Sequence, residues 1–214
     1  MIFRLDERLL FPDPALAEED GLLAIGGDLT VDRLLLAYQN GIFPWYSDDE
    51  PILWYSPHER FVLFPAELKV SKSMRQVLRS GRFTVTFDQC FKDVVEACSA
   101  AKREGQDGTW ITADMKAAYS RLHWEGHAHS VEVWENGVLV GGLYGVHAGD
   151  VFCGESMFSR ASNASKTALI WLCHTERYHL IDCQVYTEHL ESMGARMIAR
   201  EDYIAILHKA TLKH

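Results

Sequence analysis

The order of hydrophobic and polar positions divides the chain into a turn-rich beginning and a longer, regular remainder. Residues 1–58 are rich in turn formers and aromatic residues, and the only segment there with helical spacing is 31–39, which begins after Thr30 and ends at Asn40. Later segments alternate between helical and strand patterns. We therefore predict a small N-terminal domain, 1–58, packed along a shared cleft on a larger domain, 59–214, because so short a segment cannot bury a core alone.

Three helices, each with one apolar face, are predicted in the first part of the larger domain. The first covers 71–80, the second follows Asp88, and the third follows Thr112 and ends at Gly126. The predicted apolar faces are, in order, Met74, Val77 and Leu78, then Phe91, Val94, Val95 and Cys98, then Met115, Tyr119 and Leu122. These faces predict helices that pack on a sheet.

That sheet is predicted by the alternation that follows the helices. The segments SVEVWE, VLVGGLYGVHA and VFCGESMF are joined by an Asn-Gly pair and a Gly-Asp pair, which predicts an antiparallel meander of three strands. A long helix capped by Asn163, the strand LIDCQV, a short helix over 188–193, the strand RMIA and a terminal helix come next. This order predicts an α+β protein with one main mixed sheet.

Two carboxylates stand in otherwise apolar strands. Glu155 lies between Gly154 and Ser156 in FCGESMF, and alternation in LIDCQV places Asp182 and Gln184 together on the face that we expect to look outward. An edge strand that shows polar groups to water explains the second pattern equally well. If the two strands are neighbours, however, both carboxylates open onto one end of the sheet and can divide acid and base roles.

Aromatic residues and glycines gather around the same region. The aromatic residues are Phe43, Trp45, Tyr46, Trp54, Tyr55 and Trp110, and the glycines are at 141, 142, 145 and 154. Singly, such aromatic residues belong to a core, but as a group at a domain boundary they can line a pocket for a bulky side chain or stack on a base. The glycines permit either sheet bulges or the close approach of a ligand.

The net charge and the placement of basic residues indicate what kind of nucleic-acid contact the chain can make. A net charge of −9 argues against a protein that coats itself in nucleic acid, because such binding depends on clustered Lys and Arg. One dense basic stripe is formed by Lys72, Arg75, Arg79 and Arg82, extended by Lys102 and Arg103. It is either a solvated helix face or a contact for a phosphate backbone.

Cysteine usage and hydropathy predict a cytoplasmic protein without a metal. The five cysteines are scattered and form no C-x-x-C pair, as expected of reduced core thiols. No apolar stretch approaches the roughly 18 to 20 residues of a membrane span, and MIFRLDERLL lacks the apolar core of a signal peptide. HWEGH at 123–127 does not place its glutamate directly after the first histidine, as a zinc protease motif requires.

Taken together, several stretches carry a family resemblance. GLLAIGGDLT, AYQNGIFPWYS, PILWYSP, GQDGTWIT, VGGLYGV, FCGESMFSR, NASKTAL and LIDCQV closely resemble the leucyl/phenylalanyl-tRNA–protein transferase family of bacteria, over about residues 21 to 203. The resemblance implies an acetyltransferase-like fold behind a small N-terminal domain. It also implies transfer of Leu, Phe or sometimes Met from its tRNA to the N-terminal Arg or Lys of a protein, which marks that protein for degradation by the N-end rule pathway.

The resemblance also assigns residues. It implies a catalytic relay at Asp182 and Gln184 and an essential carboxylate at Glu155. The implied substrate pocket comprises Trp45, Trp110, Leu143, Gly154, Ser156, Met157 and, beside the reaction centre, Thr187. The stripe of Lys72, Arg75, Arg79 and Arg82 resembles the tRNA contact. Leu143 replaces a Met of the family and Thr187 replaces an Asn, which puts the pocket shape and one amide hydrogen bond in question.

The implied reaction exchanges an ester for an amide, which is downhill, so we expect no cofactor. Asp182, acting through Gln184, is the expected proton acceptor, and Glu155 is expected to anchor either the acceptor amine or the basic side chain of the acceptor. We also expect a monomer. A CoA-dependent N-acyltransferase is an alternative, but the loop RASNASK lacks the glycines that cradle a pyrophosphate. A tRNA-binding module without activity is another, and it leaves both carboxylates without a role.

Overall fold

The N-terminal part of the chain forms a small sheet around one helix. The computed structural model describes residues 2–101 and 111–211. The first four strands are β1 (Phe3–Leu5), β2 (Leu22–Gly26), β3 (Phe43–Pro44) and β4 (Leu53–Tyr55), in the order β1-β2-β4-β3. Helix α1 (Val31–Gln39) confirms the predicted helix. The strands were not predicted, because segments this short show no measurable alternation.

A seven-stranded mixed sheet forms the centre of the remainder. Its strands are β5 (Glu59–Leu63), β6 (Thr84–Phe87), β7 (Ala128–Glu135), β8 (Val138–Ala148), β9 (Val151–Ser159), β10 (Leu180–Gln184) and β11 (Arg196–Ala199), in the order β11-β5-β10-β9-β8-β7-β6. Only the pairing of β9 with β10 is parallel among these neighbours. The predicted meander of β7, β8 and β9 and the α+β fold class are confirmed.

Within the described ranges, six more helices cover the sheet. They are α2 (Lys72–Arg79), α3 (Phe91–Ala100), α4 (Ala113–Trp124), α5 (Ala164–His174), α6 (Glu188–Ser192) and α7 (Arg200–Thr211), and 3-10 turns lie at Pro14–Leu16 and Pro65–Glu67. Ser71 and Thr112 cap α2 and α4 by accepting hydrogen bonds from the backbone N–H groups of Met74 and Met115. Asn163 does begin α5, but in a left-handed conformation and without a side-chain cap bond.

One prediction about helix faces is wrong. The spacing predicts Leu78 on the apolar side of α2, but its side chain is 38% exposed, whereas Met74 is buried. Leu78 instead lines a surface groove of about 260 Å³ between α2 and α5, which also contains Trp171 and His174. The helix is short, so its buried stripe is only about one residue wide per turn.

Two hydrophobic clusters lie on the two faces of the large sheet. One joins α3, α4 and α7 to side chains of the N-terminal part, including Leu34 and Trp54. The other lies under α5 and includes Leu169 and Ile181. Because both sheet faces are covered, a polar side chain on either face of a central strand is buried unless a cavity reaches it.

Candidate active site

Strands β9 and β10 bring Glu155 and Asp182 together. The two strands pair in parallel with Asp182 opposite Cys153, two residues before Glu155, so the prediction that these strands are neighbours is confirmed. The pairing of β10 with β5 shifts between Asp182 and Gln184, and Gln184 has a φ of 60°. A left-handed non-glycine residue at a bulge is uncommon and re-aims its side chain. Here the side-chain amide of Gln184 turns toward Glu155.

A cavity of about 520 Å³ opens in front of these residues, between the N-terminal strands and the large sheet. Six of the predicted substrate residues line it: Trp45, Leu143, Gly154, Ser156, Met157 and Thr187. Trp110 lies outside the described residues. Glu155, Asp182 and Gln184 lie on its wall as well. A cavity of this size, with mainly apolar walls and a few convergent polar groups, is typical of a small-molecule or side-chain site.

The wall of the cavity changes from apolar at its inner end to solvent-exposed at its mouth. Phe152, Leu169 and Ile181 extend it into the apolar cluster under α5, while Trp45, 44% exposed, stands where it meets solvent. Thr187 serves two purposes, because its Oγ1 also accepts a hydrogen bond of 3.2 Å from the backbone N–H of Leu190 and caps α6. The Thr at this position therefore keeps the helix cap that an Asn would also provide.

Asp182 is the more enclosed of the two acids. Its side chain is fully buried, so the expectation that it faces outward is wrong. Its Oδ2 pairs with the Arg60 guanidinium and accepts a hydrogen bond of 2.8 Å from the Tyr203 hydroxyl, and its Oδ1 accepts one of 2.9 Å from the backbone N–H of Gln184. The alternation in LIDCQV identified the face correctly, but the side chains of Arg60 from β5 and Tyr203 from α7 cover Asp182 on that face. Asp182 is therefore an ion-paired structural anchor for Gln184.

Arg60 is held as firmly as its partner. It donates to the Gly41 carbonyl oxygen at 2.8 Å, and its guanidinium carbon lies 4.9 Å from the Phe43 ring centre and 4.5 Å from that of Tyr203. Burial by itself lowers the pKa of Arg60, but the Asp182 carboxylate and then Tyr203 raise it, and the net change is upward. The cation therefore persists, and the pair holds the N-terminal part against β5 and β10.

Glu155 has a different environment. Its side chain is 6% exposed, and among the described residues no cationic side chain forms an ion pair with it. The Gln184 Nε2 donates to Oε1 at 2.9 Å, and the hydroxyl oxygens of Tyr38 and Tyr119 lie 2.8 Å from Oε1 and 3.0 Å from Oε2. Burial raises the pKa of Glu155 to about 7, and the hydrogen bond from the Gln184 amide partly opposes the rise.

Four residues of this site were not singled out from the sequence. Tyr38, Arg60, Tyr119 and Tyr203 come from α1, β5, α4 and α7, and their polar ends meet only in the folded chain. The spacing does predict that Tyr119 is buried, and a buried tyrosine needs a hydrogen-bond partner. That requirement is a usable signal, but it does not identify which acid provides the partner.

The basic stripe is exposed but not uniform. Lys72, Arg75 and Arg79 project from α2 into solvent. Arg82 instead donates from its Nε to the Glu135 carboxylate at 2.6 Å, so part of its charge is already neutralised. Lys102 and Arg103 lie outside the described residues.

The described residues contain neither a membrane-spanning helix nor a cluster of metal ligands. Among residues 2–101 and 111–211, none of the helices is both long and apolar enough to cross a membrane. Within the same ranges, no group of three or more His, Cys, Asp or Glu side chains is arranged to hold a metal ion.

Comparisons with known proteins agree over nearly the whole chain. The family described as leucyl/phenylalanyl-tRNA protein transferase matches residues 62–208, and the N-terminal domain of the same family matches 27–58. The leucyl/phenylalanyl-tRNA–protein transferase of Syntrophobacter fumaroxidans is 58% identical over 96% of this chain and 89% of its own length. That of Flavobacterium johnsoniae is 56% identical over 96% of this chain and 99% of its own.

A solved structure gives a weaker, purely structural likeness. The crystal structure of FemX matches with a TM-score of 0.50 and 10% identity, over 87% of this chain and 74% of FemX. At so low an identity the likeness concerns the fold alone. Together with the mixed sheet, it confirms the acetyltransferase-like fold class.

Proposed function

Because the chain belongs to the leucyl/phenylalanyl-tRNA protein transferase family, we propose that it transfers Leu, Phe or Met from aminoacyl-tRNA to the N-terminal Arg or Lys of acceptor proteins. The observation that carries this proposal is the apolar cavity with Glu155 and Gln184 on its wall. We further propose that the enzyme acts as a monomer in the cytoplasm and that its products enter the N-end rule pathway. The N-terminal domain, 1–58, and the catalytic domain, 59–214, would each supply one wall of the site.

The cavity suits a bulky apolar aminoacyl group. Leu143, Met157 and Phe152 lie on its wall, and burying a Leu or Phe side chain there contributes about 1.5–3 kcal/mol to binding. The exposed indole of Trp45 is placed at the mouth, where it can stack on the terminal adenosine of the tRNA. Ser156 and Gly154 leave room for the ester between these two groups.

Gln184 is the group best placed to hold the acceptor amine. Its backbone is fixed by Asp182 and its Nε2 by Glu155, which leaves the amide oxygen to accept a hydrogen bond from the amine. Asp182, buried with Arg60, acts in this mechanism as a positioning residue that works through Gln184. A free α-amino group has a pKa of about 7.7–8.0, so little deprotonation is needed.

The reaction then needs alignment more than activation. The amine nitrogen attacks the ester carbonyl, the C–N bond forms as the bond to the ribose oxygen breaks, and one proton moves from nitrogen to that oxygen. Holding two substrates in register can supply about 7–11 kcal/mol of the barrier, whereas a single proton acceptor typically gives about 10²- to 10⁴-fold. Positioning by Gln184 and the cavity wall should therefore dominate the rate.

Charged side chains at the edge of the cavity and on α2 fit the two substrates. Asp20 lies exposed on the cavity wall and can pair with the basic side chain of the acceptor residue. Lys72, Arg75 and Arg79 present a row of cations that suits the phosphates of a tRNA acceptor stem. Arg82, already paired with Glu135, should contribute least to that contact.

A transfer assay tests the proposal. The protein is incubated with labelled Leu-tRNA or Phe-tRNA and a peptide with N-terminal Arg, with an N-terminal Asp peptide and labelled acetyl-CoA as controls. We expect label on the Arg peptide only, and only from the tRNA. No label on that peptide, or transfer from acetyl-CoA, would refute the assignment.

A further inference from the structure

Two buried hydroxyl oxygens beside Glu155 lie closer to each other than hydrogen bonding to a carboxylate alone requires. The Tyr38 hydroxyl oxygen is 2.8 Å from Glu155 Oε1, the Tyr119 hydroxyl oxygen is 3.0 Å from Oε2, and the two hydroxyl oxygens are 2.5 Å apart. The residues come from α1, α4 and β9, and all three side chains are buried. The carboxyl group and the two hydroxyls therefore close a triangle of contacts.

Counting protons distinguishes the two charge states of this triangle. Each hydrogen bond needs one proton, and the hydroxyls of Tyr38 and Tyr119 supply two. If Glu155 were ionised, two protons would have to serve three contacts, so one pair of these oxygens would face each other with no proton between them. If Glu155 keeps its own proton, three protons serve three contacts, and none is repulsive.

Gln184 determines the direction in which the hydrogen bonds run around the ring. Its Nε2 donates to Oε1, so Oε1 is the carbonyl oxygen and the acid proton lies on Oε2. Oε2 then donates to the Tyr119 oxygen, Tyr119 donates to Tyr38, and Tyr38 donates to Oε1. Chains of such bonds polarise one another in the same sense, which stabilises a closed arrangement.

Among residues 2–101 and 111–211, no charge compensates for ionisation of Glu155. The titratable and charged groups that face this cluster from the packed elements are Tyr38, Arg60, Tyr119, Tyr144, Cys153, Asp182 and Tyr203. Arg60, the cation among them, is committed to Asp182. Burial, followed in smaller part by the charge of Asp182, opposes a second negative charge at Glu155 and raises its pKa to about 7.

We propose that Tyr38, Tyr119 and Glu155 form a closed ring of three hydrogen bonds in which Glu155 is a neutral carboxylic acid, and that this ring positions Gln184 without presenting a negative charge to the acceptor amine. A carboxylate at this place would stabilise the ammonium form of the amine, which cannot attack the ester. Tyr38 and Tyr119 are then positioning residues that act through Glu155. The role toward the amine rests on the proposed function, whereas the protonation of the ring does not.

Titration of Glu155 tests the ring directly. The midpoint is read from the side-chain carboxyl carbon of ¹³C-labelled glutamate by NMR, with Glu155→Gln used to assign the signal, in wild type and in Tyr119→Phe. Removing the hydroxyl removes the oxygen pair that ionisation would leave without a proton, so we expect the midpoint to fall by about one pH unit. If the hydroxyls only donate to a carboxylate, losing one raises the midpoint.

Either a rise or an unchanged midpoint overturns the ring, as does a wild-type midpoint at the ordinary value for glutamate. Tyr38→Phe breaks the ring at another corner and replaces Tyr119→Phe if that variant does not fold. It should shift the midpoint in the same direction. None of these readings depends on tRNA or on turnover.

Transfer kinetics test the role toward the amine. The amide of Glu155→Gln can donate to Tyr119 and accept from Tyr38, as a neutral acid does, whereas Glu155→Ala cannot. We expect Glu155→Gln to recover a kcat at least about tenfold above that of Glu155→Ala. Equal losses in both variants would overturn the neutral-acid role even if the titration succeeds. If wild type itself transfers nothing, the proposed function fails while the titration result still stands.

Discussion

Glu155 and Asp182 are two buried acids on adjacent parallel strands, and they have opposite surroundings. Asp182 is paired with the Arg60 guanidinium, whereas Glu155 is surrounded by two phenol hydroxyls and an amide. Burial is nearly the same for both, at 0% and 6% exposed. The two acids therefore differ in their partners rather than in their burial, and within the part of the chain that the structure describes only Asp182 lies beside a cation.

One residue connects the two environments. Gln184 donates its backbone N–H to Asp182 and its side-chain Nε2 to Glu155, from a left-handed conformation at the end of β10. A strained residue of this kind persists only where its surroundings hold it. Asp182 therefore fixes where Gln184 lies, and Glu155 fixes where its amide points.

Replacing each acid in turn by its amide should separate the two acids most strongly. Asp182→Asn leaves the buried Arg60 without a counter-charge, so we expect a loss of about 3–5 kcal/mol in the free energy of unfolding. Glu155→Gln replaces a neutral acid by a neutral amide, and at mildly acidic pH it should cost less than about 1 kcal/mol. Urea unfolding of both variants measures the difference. Equal losses would mean that the two acids are not distinct in charge.

The pH dependence of stability sharpens the comparison. The pKa of Glu155 is raised from 4.5 to about 7 on folding, so its contribution to stability is fully present below the unfolded value and is lost as the pH rises through 7. The loss should amount to about 3 kcal/mol, because each pKa unit corresponds to about 1.36 kcal/mol. The unfolding free energies of wild type and Glu155→Gln should therefore be similar at low pH and should differ once the pH rises through 7. Parallel curves for the two proteins would contradict the raised pKa.

The phenols provide a finer test. Tyr203 donates to an ionised carboxylate, so Tyr203→Phe should cost about 1.5–3 kcal/mol, whereas Tyr119→Phe removes a bond within a neutral ring and should cost about 0.5–1.5 kcal/mol. Both substitutions keep the aromatic ring and remove one hydroxyl. Thermal or urea unfolding at mildly acidic pH measures which of the two substitutions costs more stability. A larger loss for Tyr119→Phe would reverse our assignment of the charges.

The smallest effect on stability is expected far from both acids. Arg75→Ala and Arg79→Ala on α2 should change the unfolding free energy by less than about 0.5 kcal/mol. Each should weaken tRNA binding and flatten its dependence on salt by up to about one unit of slope, because each removes one cation that can neutralise a phosphate. Arg82→Ala, which removes a guanidinium already paired with Glu135, is the matched control and should change the slope less. An unchanged slope in all three variants would favour a solvated helix face.

The sequence correctly predicted the elements whose structure depends on residues close together in the chain. Helices α1, α3 and α4 and the meander followed from spacing, caps and the Asn-Gly turn. The exposure of Leu78 was missed because a short helix can leave one edge of its apolar stripe uncovered. The strands of the small sheet were missed because they are two to five residues long.

The site was predicted only in part, for a related reason. LIDCQV and FCGESMF showed that two acids stand in apolar strands, and most of the residues expected at the cavity do line it. The burial of Asp182 depends on Arg60 and on Tyr203, which is 21 residues away in the chain. The ring at Glu155 depends on Tyr38, separated from it by 117 residues. Contacts of this kind are set by the assembled fold.

Neutron diffraction from a deuterium-exchanged crystal of the wild-type protein, grown at mildly acidic pH, locates these protons directly. Our account predicts three deuterium atoms in the ring, one on Glu155 Oε2 and one on each hydroxyl of Tyr38 and Tyr119, and none on Asp182. A Glu155 carboxyl group without deuterium, or a deuterated Asp182 beside Arg60, would contradict it.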